Sequence, residues 1–210
     1  YWFRLFPVIL LYMNKSTRRY CTQCHYPQMT CVCEHITVLK CPVQITVLQD
    51  SSEVNHAKNT VRLLQLAIPA TQVIVIKEST ELTNAMLDGA VIIYPCDNAT
   101  PVELWSQLSA DVRPELPKHI ILLDGSWRKT HKIWMQYPQL HSIPALTFTQ
   151  AGVTQYRIRK ANKLNSMSTL EACAYTLEQL YNMDCSALHH LLAGMQGHWE
   201  RFALPVNDRQ

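Results

Sequence analysis

Glycine is scarce in this chain, five residues in 210, and none stands in GxGxxG or GxxxxGKS/T spacing. The backbone loops that cradle a dinucleotide or a triphosphate are therefore missing. Also missing is an apolar run of transmembrane length. Tyr1–Tyr12 is apolar and aromatic, but Arg4 and Pro7 break it, and it falls short of the roughly 20 residues a spanning helix takes. Lys15, Arg18 and Arg19 follow where a signal peptide would need small residues for cleavage. Met13 opens an ordinary polar leader, so residues 1–17 read as leader or extension and carry no assigned function. Low-complexity tracts, internal repeats and long linkers are absent, which leaves 18–210 as one expected domain. The nine histidines show no metal spacing, and a net charge of +3 is too small to name a partner.

Cysteine, in contrast, is plentiful and unevenly spread. Four of the eight fall in one short segment, Cys21-x2-Cys24-x6-Cys31-x-Cys33. A disulfide framework suits short secreted chains, and this chain has neither character. Two close pairs suit tetrahedral thiolate ligation of zinc, because two short turns can aim four sulfurs at one point. The second pair, Cys-x-Cys, is tighter than the common Cys-x-x-Cys. A redox pair and unrelated buried thiols remain alternatives, and Cys41, His25 or His35 could replace one ligand. Four thiolates would close the coordination shell, so the expected role is structural.

Beyond this knuckle the pattern alternates. Gln44–Gln49 reads as a strand and Glu53–Ala67 as a helix, with Val54, Ala57, Val61, Leu64 and Ile68 at spacings of three and four. Val73–Ile76 and Ala90–Tyr94 read as strands. Val102–Leu108 follows as a helix with Pro101 at its first position. A strand Ile120–Leu123, a helix through Trp127 and Trp134, and a strand at Ala145–Phe148 come next. Helices over Thr169–Met183 and Ser186–Phe202 close the chain. Strands alternating with helices predict a mainly parallel α/β sheet.

The run Ile120-Ile121-Leu122-Leu123, ended by Asp124-Gly125, reads as a strand buried on both faces. An acidic residue at its carboxyl end lies where open α/β sheets place their ligands. The alternative is that Asp124 begins a turn and caps the helix behind it. Ser168-x-x-Glu171 forms a capping box before an apolar helix. Its free N–H groups would also favour an anion. Arg157, Arg159, Lys160 and Lys163 crowd a segment with no acidic residue from Ala151 to Met167. They form the best candidate phosphate footprint, beside the solvated-loop alternative. Arg128 and Lys132, four apart, would share a helix face and extend it.

Several motifs in order resemble the DTW-domain family. They are Arg18-x2-Cys21-x2-Cys24-x6-Cys31-x-Cys33, Asn59-Thr60, Tyr94-Pro95, Leu123-Asp124-Gly125-Ser126-Trp127, Tyr156-Arg157-x-Arg159-Lys160 and Ser168-Thr169-x-Glu171-Ala172. The resemblance runs from about Arg18 to Tyr181. Ser126 stands where the family usually has Thr, and Val61 where it usually has Gly. Asp50-Ser51-Ser52-Glu53 replaces a family His-Pro-x-Glu. The resemblance implies a SPOUT-like α/β fold, a mainly parallel sheet with a knotted carboxyl-terminal part, preceded by the small zinc knuckle of residues 18–35. It also implies transfer of the 3-amino-3-carboxypropyl group of S-adenosylmethionine to N3 of a tRNA uridine, by a cytoplasmic enzyme with tRNA as partner, no membrane and a monomeric state.

Such a transfer is attack at the methionine-side γ-carbon of the sulfonium, with methylthioadenosine leaving. Alignment must select that carbon, since the methyl group is intrinsically the more reactive. Uridine N3–H is a weak acid, so a carboxylate within reach could take its proton, and Asp124 is the candidate. That role asks burial to raise its pKa toward neutrality. The rival role for Asp124 is orienting the cofactor's ammonium. On this resemblance the cofactor-binding set is Asn59, Thr60, Tyr94, Pro95, Asp124, Gly125, Ser126, Trp127, Ser168 and Glu171. Trp127 could instead only pack, and Trp134 reads as core. The competing functions are a zinc-containing RNA-binding module without catalysis, an S-adenosylmethionine-dependent RNA methyltransferase, and the same chemistry on ribosomal RNA.

Overall fold

The computed structural model describes residues 19–107, 115–150, 154–156 and 167–203. Among the described residues, six strands form one sheet: β1 (Gln44–Asp50), β2 (Gln72–Ile76), β3 (Ala90–Ile93), β4 (Thr100–Pro101), β5 (His119–Asp124) and β6 (Ala145–Thr147). Their order is β2-β1-β5-β3-β6-β4. Every pairing is parallel. Helices are α1 (Val61–Ala67), α2 (Val102–Gln107), α3 (Trp127–Gln136), α4 (Thr169–Tyr181) and α5 (Ser186–Ala203).

A parallel sheet is stable only when both faces are covered, and the strand residues divide accordingly. Ile45, Val47, Val91, Ile120, Leu122 and Leu146 face one core, shared with α1, α4 and α5. Leu48, Ile92, Ile121 and Ala145 face a second core, closed by Ile133 of α3 with Tyr137 and Leu140. The period of two therefore buries nearly all of β5 while sending alternate residues to opposite layers. At the edge, two-residue β4 ends in Pro101, which has no N–H to offer a further neighbour.

The strands and later helices lie close to where sequence periodicity puts them. The first helix does not. The expected Glu53–Ala67 helix shrinks to Val61–Ala67, and residues 51–58 fold as turns. Asn59 causes the difference. Its side-chain oxygen accepts from the N–H of Val61 at 2.7 Å and Arg62 at 3.3 Å, while its amide donates to the Glu53 carbonyl at 2.7 Å. An Asn that satisfies the first helical N–H groups starts a helix instead of sitting inside one. Val54 and Ala57, whose spacing suggested helix, are only half-buried and exposed. Strand β4 has no periodic signal and was not expected. The knot implied by the resemblance depends on the path of 151–153 and 157–166, outside the described residues. The leader of residues 1–17 lies outside them too. Among the described residues, no helix is long and apolar enough to cross a membrane.

At the amino end, the knuckle packs against α5. Cys24, Tyr26 and Val32 enter the first core. The Tyr26 hydroxyl donates to the Asn59 carbonyl at 3.2 Å, and the His198 ring bonds the Cys31 carbonyl at 2.9 Å. Gly194 of α5 permits this closeness: a Cβ there would lie 2.2 Å from the His35 ring. Two faces thus meet with no room for even a methyl group.

Candidate active site

The connection leaving β1 runs outward to β2, whereas the one leaving β5 runs the other way, past β3 to β6. Adjacent parallel strands whose connections diverge leave a crevice at their carboxyl ends, the usual ligand position of open α/β sheets. Gln49 and Asp124 are register partners at this point. Ile45, Val47 and Gln49 share one parity along β1, as do Ile120, Leu122 and Asp124 along β5. Both polar side chains therefore face the layer that holds α4.

Asp124 is 7% exposed. One of its oxygens accepts from the Gln49 amide at 2.8 Å and the other from the Thr169 hydroxyl at 2.5 Å. Strands β1 and β5 and the first residue of α4 thus fix one carboxylate from two sides. Gly125 follows with φ 159°, and a Cβ there would come within 2.9 Å of Lys129 Cβ. The chain turns against α3 too tightly for a side chain. Ser126 is the N-cap of α3, yet its side chain makes no capping bond. Trp127 begins α3 and is 41% exposed.

Around this centre, buried carboxylates tie loops to helices. Glu171 completes the expected capping box with Ser168. Its oxygens also accept from the Gln155 N–H at 2.7 Å and the Thr154 hydroxyl at 2.9 Å. Glu103 accepts from the N–H groups of Thr149 and Gln150 at 3.0 and 2.8 Å and from the Tyr175 hydroxyl at 2.9 Å. Burial opposes its charge, but these donors together hold its carboxyl below the usual range. Tyr156 is buried and donates to the Lys58 carbonyl at 2.5 Å. It is a loop anchor.

The other expected residues fall as follows. Asn59 and Thr60 are buried at the start of α1, with Asn59 spent on the local bonds already described. Val61, the departure from the family's Gly, points its side chain into the core. Tyr94 is buried at the end of β3. It bonds His131 at 3.1 Å through its hydroxyl and stacks on Trp134 at 4.7 Å, while Pro95 is exposed. Trp134 also stacks on His141 at 4.2 Å. Glu53, retained from the family loop, pairs with Lys129 at 2.7 Å. Arg128 and Lys132 are exposed on α3. Arg157, Arg159, Lys160 and Lys163 lie outside the described residues.

Cys21, Cys24, Cys31 and Cys33 hold their sulfurs within 4.8 Å of one another. The pairs Cys21–Cys33 and Cys24–Cys31 lie 3.6 and 3.7 Å apart. A tetrahedral ion with Zn–S bonds of about 2.3 Å would separate its sulfurs by about 3.8 Å, so the donor set fits zinc. Backbone N–H groups of Cys24 and Gln23 aimed at Cys21 pull its thiol down to about 6, while burial and the neighbouring thiols push Cys33 up to about 12. The cluster thus favours a first thiolate and leaves the rest to be deprotonated by the metal.

A family model described as the DTW domain matches residues 18–200. The chain belongs to the DTW domain family. Among curated proteins this DTW chain is 29% identical over 183 residues to a tRNA-uridine aminocarboxypropyltransferase 2 of Mus musculus. The match covers 82% of the chain and 60% of that protein. It is 25% identical over 176 residues to the protein of the same name from Drosophila melanogaster, covering 79% and 68%. The DTW chain therefore spans about three-fifths of the mouse relative's length. No solved structure matches it.

Sequence reasoning missed Gln49, Thr169 and Glu103 in this DTW site. Thr169 lay inside a motif already noticed, and a Gln ending an apolar strand was a signal as well. Neither means anything until strand register and helix placement bring them to Asp124.

Proposed function

We propose that this chain transfers the 3-amino-3-carboxypropyl group of S-adenosylmethionine to N3 of a uridine in tRNA, releasing methylthioadenosine. The observation that carries the reading is the buried Asp124 carboxylate, clamped by Gln49 and Thr169 at the switch point of a DTW domain. The names of the two relatives support the substrate and the group transferred.

In the proposed reaction, uridine N3 forms a bond to the γ-carbon as the γ-carbon–sulfur bond breaks and its electron pair stays on sulfur. The N3 proton leaves to a base. We assign that role to Asp124, whose orientation is fixed from both sides, as general-base catalysis requires. Asn59, Thr60, Tyr94, Pro95, Gly125, Ser126, Trp127 and Ser168 would hold the donor. The N–H groups of the first turn of α4 that the capping box leaves over would meet its carboxylate. Glu171 spends its oxygens on Ser168, Thr154 and Gln155, so its part is to position that turn. Arg128 and Lys132, with Arg157, Arg159, Lys160 and Lys163, would contact tRNA phosphates. Zinc in the four-cysteine knuckle would be structural. The enzyme is assigned to the cytoplasm and acts as a monomer.

The test incubates the protein with S-adenosylmethionine and uridine-containing tRNA and analyses both products by mass spectrometry. Methylthioadenosine and a uridine heavier by the aminocarboxypropyl group are expected. Adenosylhomocysteine alone would make the protein a methyltransferase, and tRNA binding without either product would make it a binding module.

A further inference from the structure

We propose a second metal site, separate from the four cysteines, in which Glu34, His35 and His198 bind a divalent ion of the zinc type. One carboxylate oxygen and two ring nitrogens of this trio lie within 4.8 Å of one another. Glu34 Oε1 and His35 Nε2 stand 3.4 Å apart. A tetrahedral zinc with bonds of about 2.0–2.1 Å holds neighbouring ligands about 3.3 Å apart, so this pair needs almost no movement.

The rings are held as ligating histidines are held. His198 Nε2 lies 2.9 Å from the Cys31 carbonyl, which can only accept; the proton is therefore on Nε2 and the lone pair on Nδ1. His35 Nδ1 lies 3.3 Å from His190 Nε2. Donation from His35 Nδ1 across that contact leaves the Nε2 lone pair toward Glu34. A partner on the second nitrogen, fixing tautomer and ring angle, is the arrangement that supports metal-bound imidazole. Nitrogen and oxygen donors suit zinc and its first-row neighbours better than calcium or magnesium.

Packing points the same way. His190, Gly194 and His198 recur every four residues along α5, one stripe of one face. Gly194 removes the side chain that would collide with the His35 ring, which settles between the two histidines. His198 is 7% exposed, whereas the Glu34 side chain is 70% exposed, so a water has access to the fourth position. At the His35 ring Glu34 favours positive charge, while His190, His198 and Arg201 oppose it. An ion here would join the 33–35 turn to α5, a bond between knuckle and domain that the four-cysteine site cannot make.

The experiment dialyses the purified protein to equilibrium against zinc and counts bound ions by elemental analysis, beside Glu34→Gln and His198→Gln variants. Two ions per chain are expected for the unmodified protein, and one for each variant. Glu34 is exposed, so its variant keeps the fold even if His198→Gln does not. In cobalt-loaded protein, thiolate charge-transfer bands should persist in Glu34→Gln while the weaker nitrogen–oxygen ligand-field bands fade. A single ion in the unmodified protein at saturating zinc, or two in Glu34→Gln, overturns the proposal. Neither result bears on aminocarboxypropyl transfer.

Discussion

Among the described residues, Gln49 and Thr169 donate to Asp124 from different elements, and replacing Asp124 separates chemistry from binding. Asp124→Asn keeps the side chain's shape but cannot accept the N3 proton. Methylthioadenosine release should fall by about 10²–10⁴, the usual weight of a general base, with tRNA retention unchanged. An unreduced rate in a single-turnover assay would remove the base role. Glu103 offers a test through pH. Its folded carboxyl sits below the usual range because Gln150, Thr149 and Tyr175 donate to the charged form. Its contribution is therefore fully present above the ordinary glutamate pKa and is lost as pH falls through the lower folded value. Glu103→Gln should melt earlier at neutral pH, and its melting temperature should decline less on acidification. Thermal scans of both proteins across the acid range decide the matter.

At the scale of elements, α4 is the hinge of the site. Its first turn supplies Thr169 to Asp124 and Glu171 to the loop ahead of it. Glu171→Ala would strand the Ser168 and Gln155 N–H groups without their buried acceptor, at a cost of about 3 kcal/mol. Faster hydrogen exchange at Gln155, beside a lowered melting temperature, is the expected signature. The knuckle is a second element with its own dependence. Cys21→Ser removes one of four converging sulfurs, so the thiolate-bound ion should be lost. Elemental analysis and the cobalt thiolate bands check this directly. Because Cys24, Tyr26 and Val32 belong to the main core, loss of the ion should also lower the stability of α5's packing face.

Across the whole molecule, the net charge of +3 is small, but the basic residues are clustered along the sequence. Helix α3 carries Arg128, Lys129 and Lys132 and no acidic residue; Lys129 pairs with Glu53, and Lys129 and Lys132 both act on the Asp50 carboxylate. Arg128→Glu with Lys132→Glu should weaken tRNA binding and flatten the dependence of affinity on salt by roughly one unit of slope per lost phosphate contact. Filter-binding titrations over a salt series measure it. An unchanged slope would place the RNA on another face.

Much of the fold was legible residue by residue. The apolar run before Asp124, the capping box at Ser168 and the cysteine spacing each express a local rule: burial on both faces of a strand, orphan N–H groups at a helix start, or convergence of short turns. The helix over Glu53–Thr60 was misread because apolar spacing continues through residues whose backbone Asn59 diverts. Sequence alone thus determined the parallel α/β class, the zinc-capable knuckle and the acidic strand end, since each depends on neighbours along the chain. Only the tertiary structure decided that Gln49 and Thr169 grip Asp124, that Glu103 and Glu171 clamp loops, and that His35 meets His198 across Gly194. Those pairings join residues tens to more than a hundred positions apart, and no local periodicity encodes strand order or the approach of one helix to another.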